Sequence, residues 1–245
     1  MEFDDKAVIV TGGASGIGFA TALKFGLAGA RVVIADYDQA KAAQAVEKLQ
    51  GAGLRDVMSV GCNVAEEAEV TRSVDAVLAR HGRLDVIVNN AGTMIFKPIE
   101  EHTEADLLNV LRIDFFGAFW FTKQAFLKCR PGASIVNVSS IHAIETTPLV
   151  AAYAAAKAAL LSLTRTTAME GKPKGIRANA VLPGAIATPM LWDNPNVKSG
   201  TETIDPAYVG QPEDVASAIV YLASSGAGFV TGAALRVDGG RLARL

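Results

Sequence analysis

Cysteine and histidine are scarce in this sequence of 245 residues, which contains two cysteines and three histidines. Cys62 and Cys129 are too few and too far apart for a disulfide framework or a thiolate metal site. The histidines form no HExxH pattern. The sequence therefore predicts a protein with no disulfide scaffold and no metal centre.

An excess of charge of one sign is also lacking. The 23 Lys and Arg residues nearly balance the 25 Asp and Glu residues, for a formal net charge of -2. Proteins that bind nucleic acid usually present a basic surface to the phosphate backbone. We therefore expect no nucleic-acid partner.

Long apolar runs are missing as well. The most apolar stretch after the first strand-like segment, IDFFGAFWF at 113–121, contains Asp114. It is far shorter than the roughly 20 residues that span a bilayer. The opening residues, MEFDDKAVIV, are acidic and lead directly into a strand-like segment, unlike a signal peptide. We expect a cytoplasmic protein that does not associate with membranes.

Apolar residues are abundant, at 50 % of the chain, and they are arranged in short runs that alternate with helical patterns. Runs that are rich in Val and Ile and apolar on both faces are typical of parallel strands covered by helices. No linker or low-complexity segment divides the chain, so the sequence predicts one α/β domain over 1–245. We expect a Rossmann-type, doubly wound parallel sheet of about seven strands with helices on both faces. The strand-like runs begin at Ala7, Arg31, Val57, Leu84, Ser134, Ile176 and Ala234, and the helical segments include 39–50, 66–80, 103–128 and 150–170.

A glycine-rich loop, TGGASGIG, follows the first predicted strand and precedes a helical pattern. Gly12, Gly16 and Gly18 permit a tight turn, and the helix N-terminus offers free N–H groups and a positive dipole end to a diphosphate. Such loops also occur as simple turns without a ligand. The position between first strand and first helix favours a nucleotide site.

Asp36 ends the second predicted strand, about 20 residues after the glycines, where a carboxylate can accept hydrogen bonds from an adenosine ribose. The alternative is a helix N-cap, which Asp38 could equally supply. A carboxylate at this position repels a 2′-phosphate, and nothing basic directly follows it. The sequence therefore predicts NAD rather than NADP as cofactor.

Seven short motifs together resemble the short-chain dehydrogenase/reductase family, and the resemblance covers nearly the whole chain. A chance match to any one motif is plausible, but a chance match to all of them in order is not. In chain order they are TGGASGIG from Thr11, NNAG from Asn89, SS at 139–140, YAAAK from Tyr153, PGAIATPM from Pro183, GQPEDVA from Gly210 and FVTGAALRVDGG from Phe229.

The resemblance implies a catalytic set of Ser140, Tyr153 and Lys157, with Ser140 preferred over Ser139 because it lies thirteen residues before the tyrosine. Tyr and Lys four residues apart share one helix face, and the ammonium favours the phenolate. Tyr153 is then the general acid or base and Ser140 orients the substrate oxygen. The implied cofactor contacts are Gly12, Ser15, Gly16, Ile17, Gly18, Asp36, Asn63, Val64, Asn90, Tyr153, Lys157, Ile186 and Thr188.

Two positions depart from the family pattern. The usual Asn of the catalytic set aligns with Asp114, whose main-chain carbonyl is implied to meet a water that leads toward the lysine. The alternative is a polar residue bonded locally within its helix. Asn63 stands where the family often has Asp, and its side-chain carbonyl can still accept from an adenine amine.

The substrate is predicted only in outline. Residues 190–210 form a variable segment that we expect to act as a lid over a small molecule. His142, Trp192, Ser140 and Tyr153 are the candidate substrate contacts, although His142 can equally be a wall residue and Trp192 can simply anchor the lid. The spacing of His142 and the PGAI motif resemble glucose 1-dehydrogenases, which favours a sugar, polyol or other small secondary alcohol.

Two other functions remain open at this stage. One is an NADPH-dependent carbonyl or 3-oxoacyl reductase, and the other is a non-catalytic NAD-binding sensor or scaffold. The segments 103–128 and 150–170 carry apolar residues on more than one face, so one face can cover the sheet and the other a partner subunit. With the family resemblance, this predicts a homotetramer through these two helices.

Overall fold

Seven parallel strands form the centre of the protein in a computed structural model that describes residues 1–200 and 203–243. Their order across the sheet is β3-β2-β1-β4-β5-β6-β9. The strands are β1 (Ala7–Thr11), β2 (Arg31–Asp36), β3 (Val57–Gly61), β4 (Val86–Asn89), β5 (Ser134–Val138), β6 (Arg177–Pro183) and β9 (Ala234–Val237), and a separate pair is formed by β7 (Ala185–Ile186) and β8 (Val209–Gly210).

Helices cover both faces of this sheet. Successive strand residues point to opposite faces, so each strand contributes apolar side chains to the core on both sides. Val8 and Val10 of β1 pack in one apolar cluster, whereas Ala7 and Ile9 pack in another. A strand buried on both faces reads as a continuous apolar run, which explains the sequence pattern. The helices are α1 (Gly16–Leu27), α2 (Gln39–Gly51), α3 (Glu67–His81), α4 (Glu104–Leu111), α5 (Gly117–Lys128), α6 (Ala151–Gly171), α7 (Pro189–Trp192), α8 (Pro195–Lys198) and α9 (Pro212–Ala223).

The predicted fold class is confirmed, since all seven apolar runs contribute a strand to the sheet. The long helix expected over 103–128 is interrupted: a π-helical turn, Arg112–Phe116, separates α4 from α5. Its central residue, Asp114, is buried with 2 % exposure and accepts a hydrogen bond from the Thr93 backbone N–H at 2.8 Å. The π-helical turn carries this buried side chain, and such turns are frequent at functional sites.

The strand order places a crevice at one edge of the sheet. Connections run to one side through β2 and β3 and then return to β4 on the other side of β1. Ligands of doubly wound sheets bind where the order reverses, beyond the carboxyl ends of the strands. In the described part of the chain, no helix is long and apolar enough to cross a membrane.

Candidate active site

A cavity of about 670 Å³ opens at the carboxyl edge of the sheet. Its volume lies within the range of small-molecule and cofactor pockets. It extends from Asp36 at the end of β2, past the N-terminus of α1, to Ser140 after β5 and Tyr153 on α6. The glycine-rich loop and the YAAAK motif, far apart in sequence, therefore line the same space.

The N-terminus of α1 faces this cavity without a side-chain cap. Ser15 is the N-cap residue in extended conformation, but its hydroxyl makes no capping hydrogen bond, and the first turn carries no acidic residue. The first N–H groups of a helix have no partner within the helix, so they remain available to an anion. Gly12, Ser15, Gly16 and Ile17 line the cavity here.

Gly18 has a different role from the other loop glycines, since it does not line the cavity. A Cβ at this position would lie 2.2 Å from the Gly12 carbonyl oxygen and 2.6 Å from Asn90 Nδ2. Glycine is therefore required so that α1 can approach the loop closely. The structure thus shows a packing role for Gly18, and its cofactor contact remains a prediction.

Of the two carboxylates that the sequence offered as the N-cap of α2, Asp38 takes that role, and the ribose contact of Asp36 remains a prediction. Asp38 is the N-cap of α2 and its side chain accepts from the Lys41 N–H at 3.0 Å. Asp36 instead accepts from the backbone N–H groups of Ala14 at 3.2 Å and Asp38 at 3.1 Å. These bonds hold the Asp36 carboxylate at the cavity wall beside the glycine loop.

Asn63 and Val64 follow β3 and line the same end of the cavity. The Asn63 side-chain oxygen accepts from the Ala65 N–H at 3.1 Å, which orients the amide. A carbonyl oxygen has two lone pairs, so one acceptor site remains for a ligand. Val64 is buried at 6 % exposure and contributes an apolar wall.

Asn90 lines the cavity, but its amide also supports the loop. Its Nδ2 donates to the carbonyl oxygens of Thr11 at 2.9 Å and Gly12 at 3.1 Å. Its backbone N–H donates to the Thr11 hydroxyl at 2.9 Å. Asn90 therefore ties the end of β4 to the glycine-rich loop.

Ile186 and Thr188 close the cavity from the opposite side. Thr188 lies next to the glycine loop, since a Cβ at Gly16 would meet its methyl carbon at 3.2 Å. Ile186 belongs to β7 and is buried at 5 % exposure. Thr188 therefore lies beside the glycine-rich loop, and Ile186 lines the same cavity.

Tyr153 and Lys157 lie one turn apart on α6 and meet the end of β5. The Lys157 Nζ atom is 5.4 Å from the centre of the Tyr153 ring. The His142 ring stands edge-on to the Tyr153 ring, with centres 6.0 Å apart. All three side chains line the cavity.

The two serines after β5 differ in what their hydroxyls contact. Ser139 donates to the Lys157 carbonyl oxygen at 2.9 Å and is 2 % exposed. Ser140 accepts from the His142 N–H at 3.2 Å, and its hydroxyl lowers the pKa of the Tyr153 phenol. Ser140 is therefore the serine beside the phenol, as the spacing predicts.

Lys157 and Asp114 form a buried ion pair that the family pattern did not imply. The Lys157 Nζ atom lies 3.1 Å from Asp114 Oδ2, and the two side chains are 4 % and 0 % exposed. Nζ also donates to the Val138 carbonyl oxygen at 3.0 Å. Asp114 Oδ2 accepts no well-aligned hydrogen bond from the described residues, so the contact with Lys157 is chiefly one of charge.

Burial and charge shift the pKa values of this group. Burial raises the pKa of the Tyr153 phenol, the Lys157 ammonium opposes this rise, and the Asp114 carboxylate adds to it. Burial disfavours the Lys157 ammonium, but Asp114 and Tyr153 outweigh that effect and the pKa of Lys157 is raised. Burial also raises the pKa of Asp114, against the pull of Lys157. Tyr153 is therefore a protonated phenol at neutral pH in this state.

Besides Gly18, two further predicted residues do not line the cavity. Asp114 lies behind Lys157, with which it is paired, and does not line the cavity. Trp192 ends α7, is 51 % exposed and does not line the cavity either. The position of Trp192 therefore gives no support to the predicted substrate contact.

Several lining residues were not singled out from the sequence. Met94 and Phe96 follow the NNAG motif and pack with Val150 near Tyr153. Arg241 follows the final DGG motif and lines the cavity mouth. The only sequence signal that could have identified Met94 and Phe96 is that they are apolar residues shortly after a functional motif.

The predicted lid, residues 190–210, contains two positions, 201 and 202, that lie outside the described residues. Within the described part, Met190, Leu191, Asn194 and Ile204 line the cavity. The segment thus covers the substrate side of the cavity, and its opening and closing remain a prediction.

Comparison with known proteins adds a family match over most of the chain. A family model described as "Enoyl-(Acyl carrier protein) reductase" matches residues 12–241. The chain is 38 % identical to 3beta-hydroxysteroid dehydrogenase 1 of Eggerthella lenta, over 97 % of this chain and 95 % of that protein.

Two further similarities extend the comparison. The chain is 36 % identical to the 3-oxoacyl-(acyl-carrier-protein) reductase FabG of Thermotoga maritima, over 98 % of this chain and 99 % of that protein. The crystal structure of levodione reductase superposes on this chain with a TM-score of 0.92 at 31 % identity. The match covers 99 % of this chain and 100 % of that one.

Proposed function

The chain belongs to the short-chain dehydrogenase/reductase family of oxidoreductases, and from that premise we propose that it transfers hydride between NAD(H) and a small secondary alcohol or ketone. The observation that carries this proposal is the placement of Ser140, Tyr153 and Lys157 around one cavity. The motifs and the fold alone would also suit a non-catalytic NAD-binding protein. An intact acid–base group inside the cavity favours an enzyme.

The cavity suits a dinucleotide because its features match the parts of that molecule. The uncapped N-terminus of α1 offers N–H groups to a diphosphate. The Asp36 carboxylate offers acceptors to a ribose diol. When bound, the nicotinamide supplies or accepts the hydride. The protein itself supplies binding, orientation and the proton.

Tyr153 is the proton donor or acceptor in this proposal. In reduction, the phenol donates its proton to the oxygen of the carbonyl as the carbonyl carbon is reduced; in oxidation, the phenolate takes the proton from the alcohol. Ser140 hydrogen-bonds the same oxygen and orients it beside Tyr153. Lys157 donates one N–H to the Val138 carbonyl oxygen and pairs by charge with Asp114, so donor capacity remains for a ribose hydroxyl.

NAD is the proposed cofactor because of the groups at the ribose end of the cavity. The Asp36 carboxylate would repel a 2′-phosphate held beside it. The neighbouring cation, Lys41, lies 3.2 Å from Asp38 and is partly neutralised by it. Charge at this end therefore favours a free ribose hydroxyl over a phosphate.

The substrate end of the cavity is mostly apolar, which supports an alcohol or ketone with an apolar body. Met94, Phe96 and Val150 pack together at the cavity wall, and Met190 and Leu191 line the same cavity. A sugar or polyol would leave its hydroxyls facing these side chains without partners. The names of the similar proteins, a hydroxysteroid dehydrogenase and an oxoacyl reductase, also indicate substrates with apolar bodies.

The test is the appearance of NADH or NADPH across a panel of cyclic and linear secondary alcohols, sugars and polyols, with the reverse reaction on the matching ketones. We expect turnover of apolar secondary alcohols with NAD and much weaker turnover with NADP. A preference for NADPH and a 3-oxoacyl thioester would instead support the reductase alternative. Binding of NAD without turnover of any compound would support a sensor or scaffold.

A homotetramer through the segments 103–128 and 150–170 remains a proposal, supported by apolar side chains that stay exposed there. Phe119 and Leu127 of α5 are 42 % and 66 % exposed, and Leu107 of α4 is 41 % exposed. Burial of these residues between subunits would remove apolar surface from water. Sedimentation at micromolar concentration is expected to give the mass of four chains, and a monomer would contradict it.

A further inference from the structure

Asp114 introduces a second ionisable group into direct contact with Lys157. The carboxylate joins two parts of the site, since Oδ1 accepts from the Thr93 N–H at 2.8 Å and Oδ2 lies 3.1 Å from Lys157 Nζ. Thr93 itself lines the cavity, four residues after the end of β4 and directly after the NNAG motif. Asp114 thus spans the space between that wall and α6.

The surrounding chain is shaped to hold this pair. A Cβ at Gly92 would lie 2.9 Å from Asp114 Oδ2 and 3.2 Å from Lys157 Nζ, so a glycine there leaves the room that the ion pair occupies. The π-turn, Arg112–Phe116, carries Asp114 at its centre. Both side chains are buried. In the protein interior a charge interacts far more strongly with its neighbours than it does at the surface.

We propose that Asp114 is a positioning residue that fixes the Lys157 ammonium and, through its negative charge, keeps Tyr153 protonated to higher pH than a neutral residue at 114 would. This role concerns the same site and rests on the proposed function only for its kinetic consequence. A carboxylate near a phenol disfavours the phenolate, whereas an ammonium favours it. Pairing Asp114 with Lys157 therefore weakens the help that the lysine gives to ionisation of the phenol.

Other charged or titratable groups facing this trio are few among the described residues. From the segment after β5, the Ser140 hydroxyl lowers the pKa of the phenol, and the His142 ring faces the Tyr153 ring at 6.0 Å. From β5 and the segment after β4, the contacts are the uncharged Val138 carbonyl and Thr93 N–H. The pKa of Tyr153 is raised by burial and then by Asp114, and lowered by Lys157 and Ser140.

The consequence for the reaction is a shift in the working pH range. Reduction requires Tyr153 as the phenol and oxidation requires it as the phenolate. A higher pH of ionisation extends the range over which the site can protonate a carbonyl oxygen. Oxidation of an alcohol then begins only at more alkaline pH.

The decisive measurement is ultraviolet absorbance of tyrosinate in the cofactor-free protein during an alkaline titration. The chain has four tyrosines, so the Tyr153 signal is the difference between each protein and the same protein with Tyr153→Phe. In the Asp114→Asn variant we expect Tyr153 to ionise about 1 pH unit lower than in the parent. A Tyr153 signal that appears no earlier in the variant overturns the inference.

Asp114→Ala serves as a second neutral replacement if Asp114→Asn does not fold, and circular dichroism checks folding at each pH. The matched control is Asp75→Asn, which removes a carboxylate that is 58 % exposed and paired with Lys128 away from the site. This control should leave the Tyr153 signal in place. An equal shift in the control would show a general charge effect and would also overturn the inference.

The kinetic readout separates this inference from the proposed function. In Asp114→Asn, the acidic limb of the pH profile for alcohol oxidation is expected to move down by about 1 pH unit. If no alcohol or ketone is turned over by the parent protein, the proposed function fails. The absorbance titration still decides the role of Asp114 in that case.

Discussion

The two ends of the cavity, which we propose hold the nucleotide and the substrate, present different kinds of groups. At the nucleotide end, the groups that face the ligand are backbone N–H groups of α1 and the side chains of Asp36 and Asn63, which are oriented by backbone hydrogen bonds. At the catalytic end, Tyr153, Lys157 and Asp114 are buried ionisable side chains that shift one another's pKa. The first end depends on the path of the chain, and the second depends on charge coupling in a site removed from water.

The difference teaches where single substitutions should act strongly. Backbone donors survive the loss of a side chain, so substitutions at the nucleotide end should change affinity in graded steps. Coupled side chains in a dry site have no substitutes, because each charge is felt strongly by the others. Substitutions at the catalytic end should therefore change the rate itself.

The largest expected effect is that of Tyr153→Phe, which removes the proton donor and keeps the ring. Turnover should fall on the order of 10³-fold, within the range that a positioned acid or base contributes. NAD binding, followed by quenching of protein fluorescence, should be nearly unchanged because the nucleotide end is intact. Substantial turnover by this variant would refute Tyr153 as the acid or base.

A smaller difference is expected between the two serines after β5. Ser140→Ala removes the hydroxyl beside the phenol and should lower kcat on the order of 10²-fold, as loss of an oriented hydrogen-bond donor does. Ser139→Ala removes a buried hydrogen bond to the Lys157 carbonyl oxygen and should lower the free energy of unfolding by about 1 kcal/mol. Steady-state kinetics and urea unfolding of both variants give the comparison.

For these serines, equal loss of kcat in the two variants would contradict the assignment. It would mean that the strand end, and not the particular hydroxyl, sets the rate. A loss of stability in Ser139→Ala that is accompanied by only a modest rate change supports the division of roles.

The smallest effect on rate is expected at the nucleotide end, with Asp36→Ala. Removal of the carboxylate takes away the repulsion of a 2′-phosphate and the acceptors for the ribose. The ratio of kcat/KM for NAD over NADP should fall about 10-fold, mainly through KM, since a single hydrogen-bonded charge contributes about that much. Asp75→Ala, which removes an exposed carboxylate that is paired with Lys128 and does not line the cavity, is the matched control. An unchanged ratio in Asp36→Ala would refute Asp36 as the selective residue.

Much of this site follows from the sequence because parallel strands end at the same edge of a sheet. Once Ala7, Arg31 and Ser134 are recognised as strand starts, the glycine loop, Asp36 and Ser140 must converge at the carboxyl edge. The spacing of Tyr153 and Lys157 then requires only a helix that packs on that edge. These placements depend on periodicity and order, which the sequence contains in full.

Other features depended on contacts between segments distant in sequence. The division between Asp36 and Asp38 was ambiguous because either carboxylate can cap a helix. The amide of Asn90 has no sequence signal for its bonds to Thr11 and Gly12. Trp192 suggested a pocket wall by its size, but the turn of α7 leaves it half exposed outside the cavity.

By itself the sequence determined the seven-stranded doubly wound sheet, the family and the residues that meet at its edge, because apolar periodicity and motif order encode them. Only the tertiary structure decided that Asp114 is a buried counter-ion of Lys157. A side-chain substitution at a family position names a charge but not its partner. The Asp114 carboxylate is buried between the π-turn, Gly92 and α6, and this burial selects its partner. A carboxylate removed from water is stabilised only by an opposite charge or by hydrogen-bond donors.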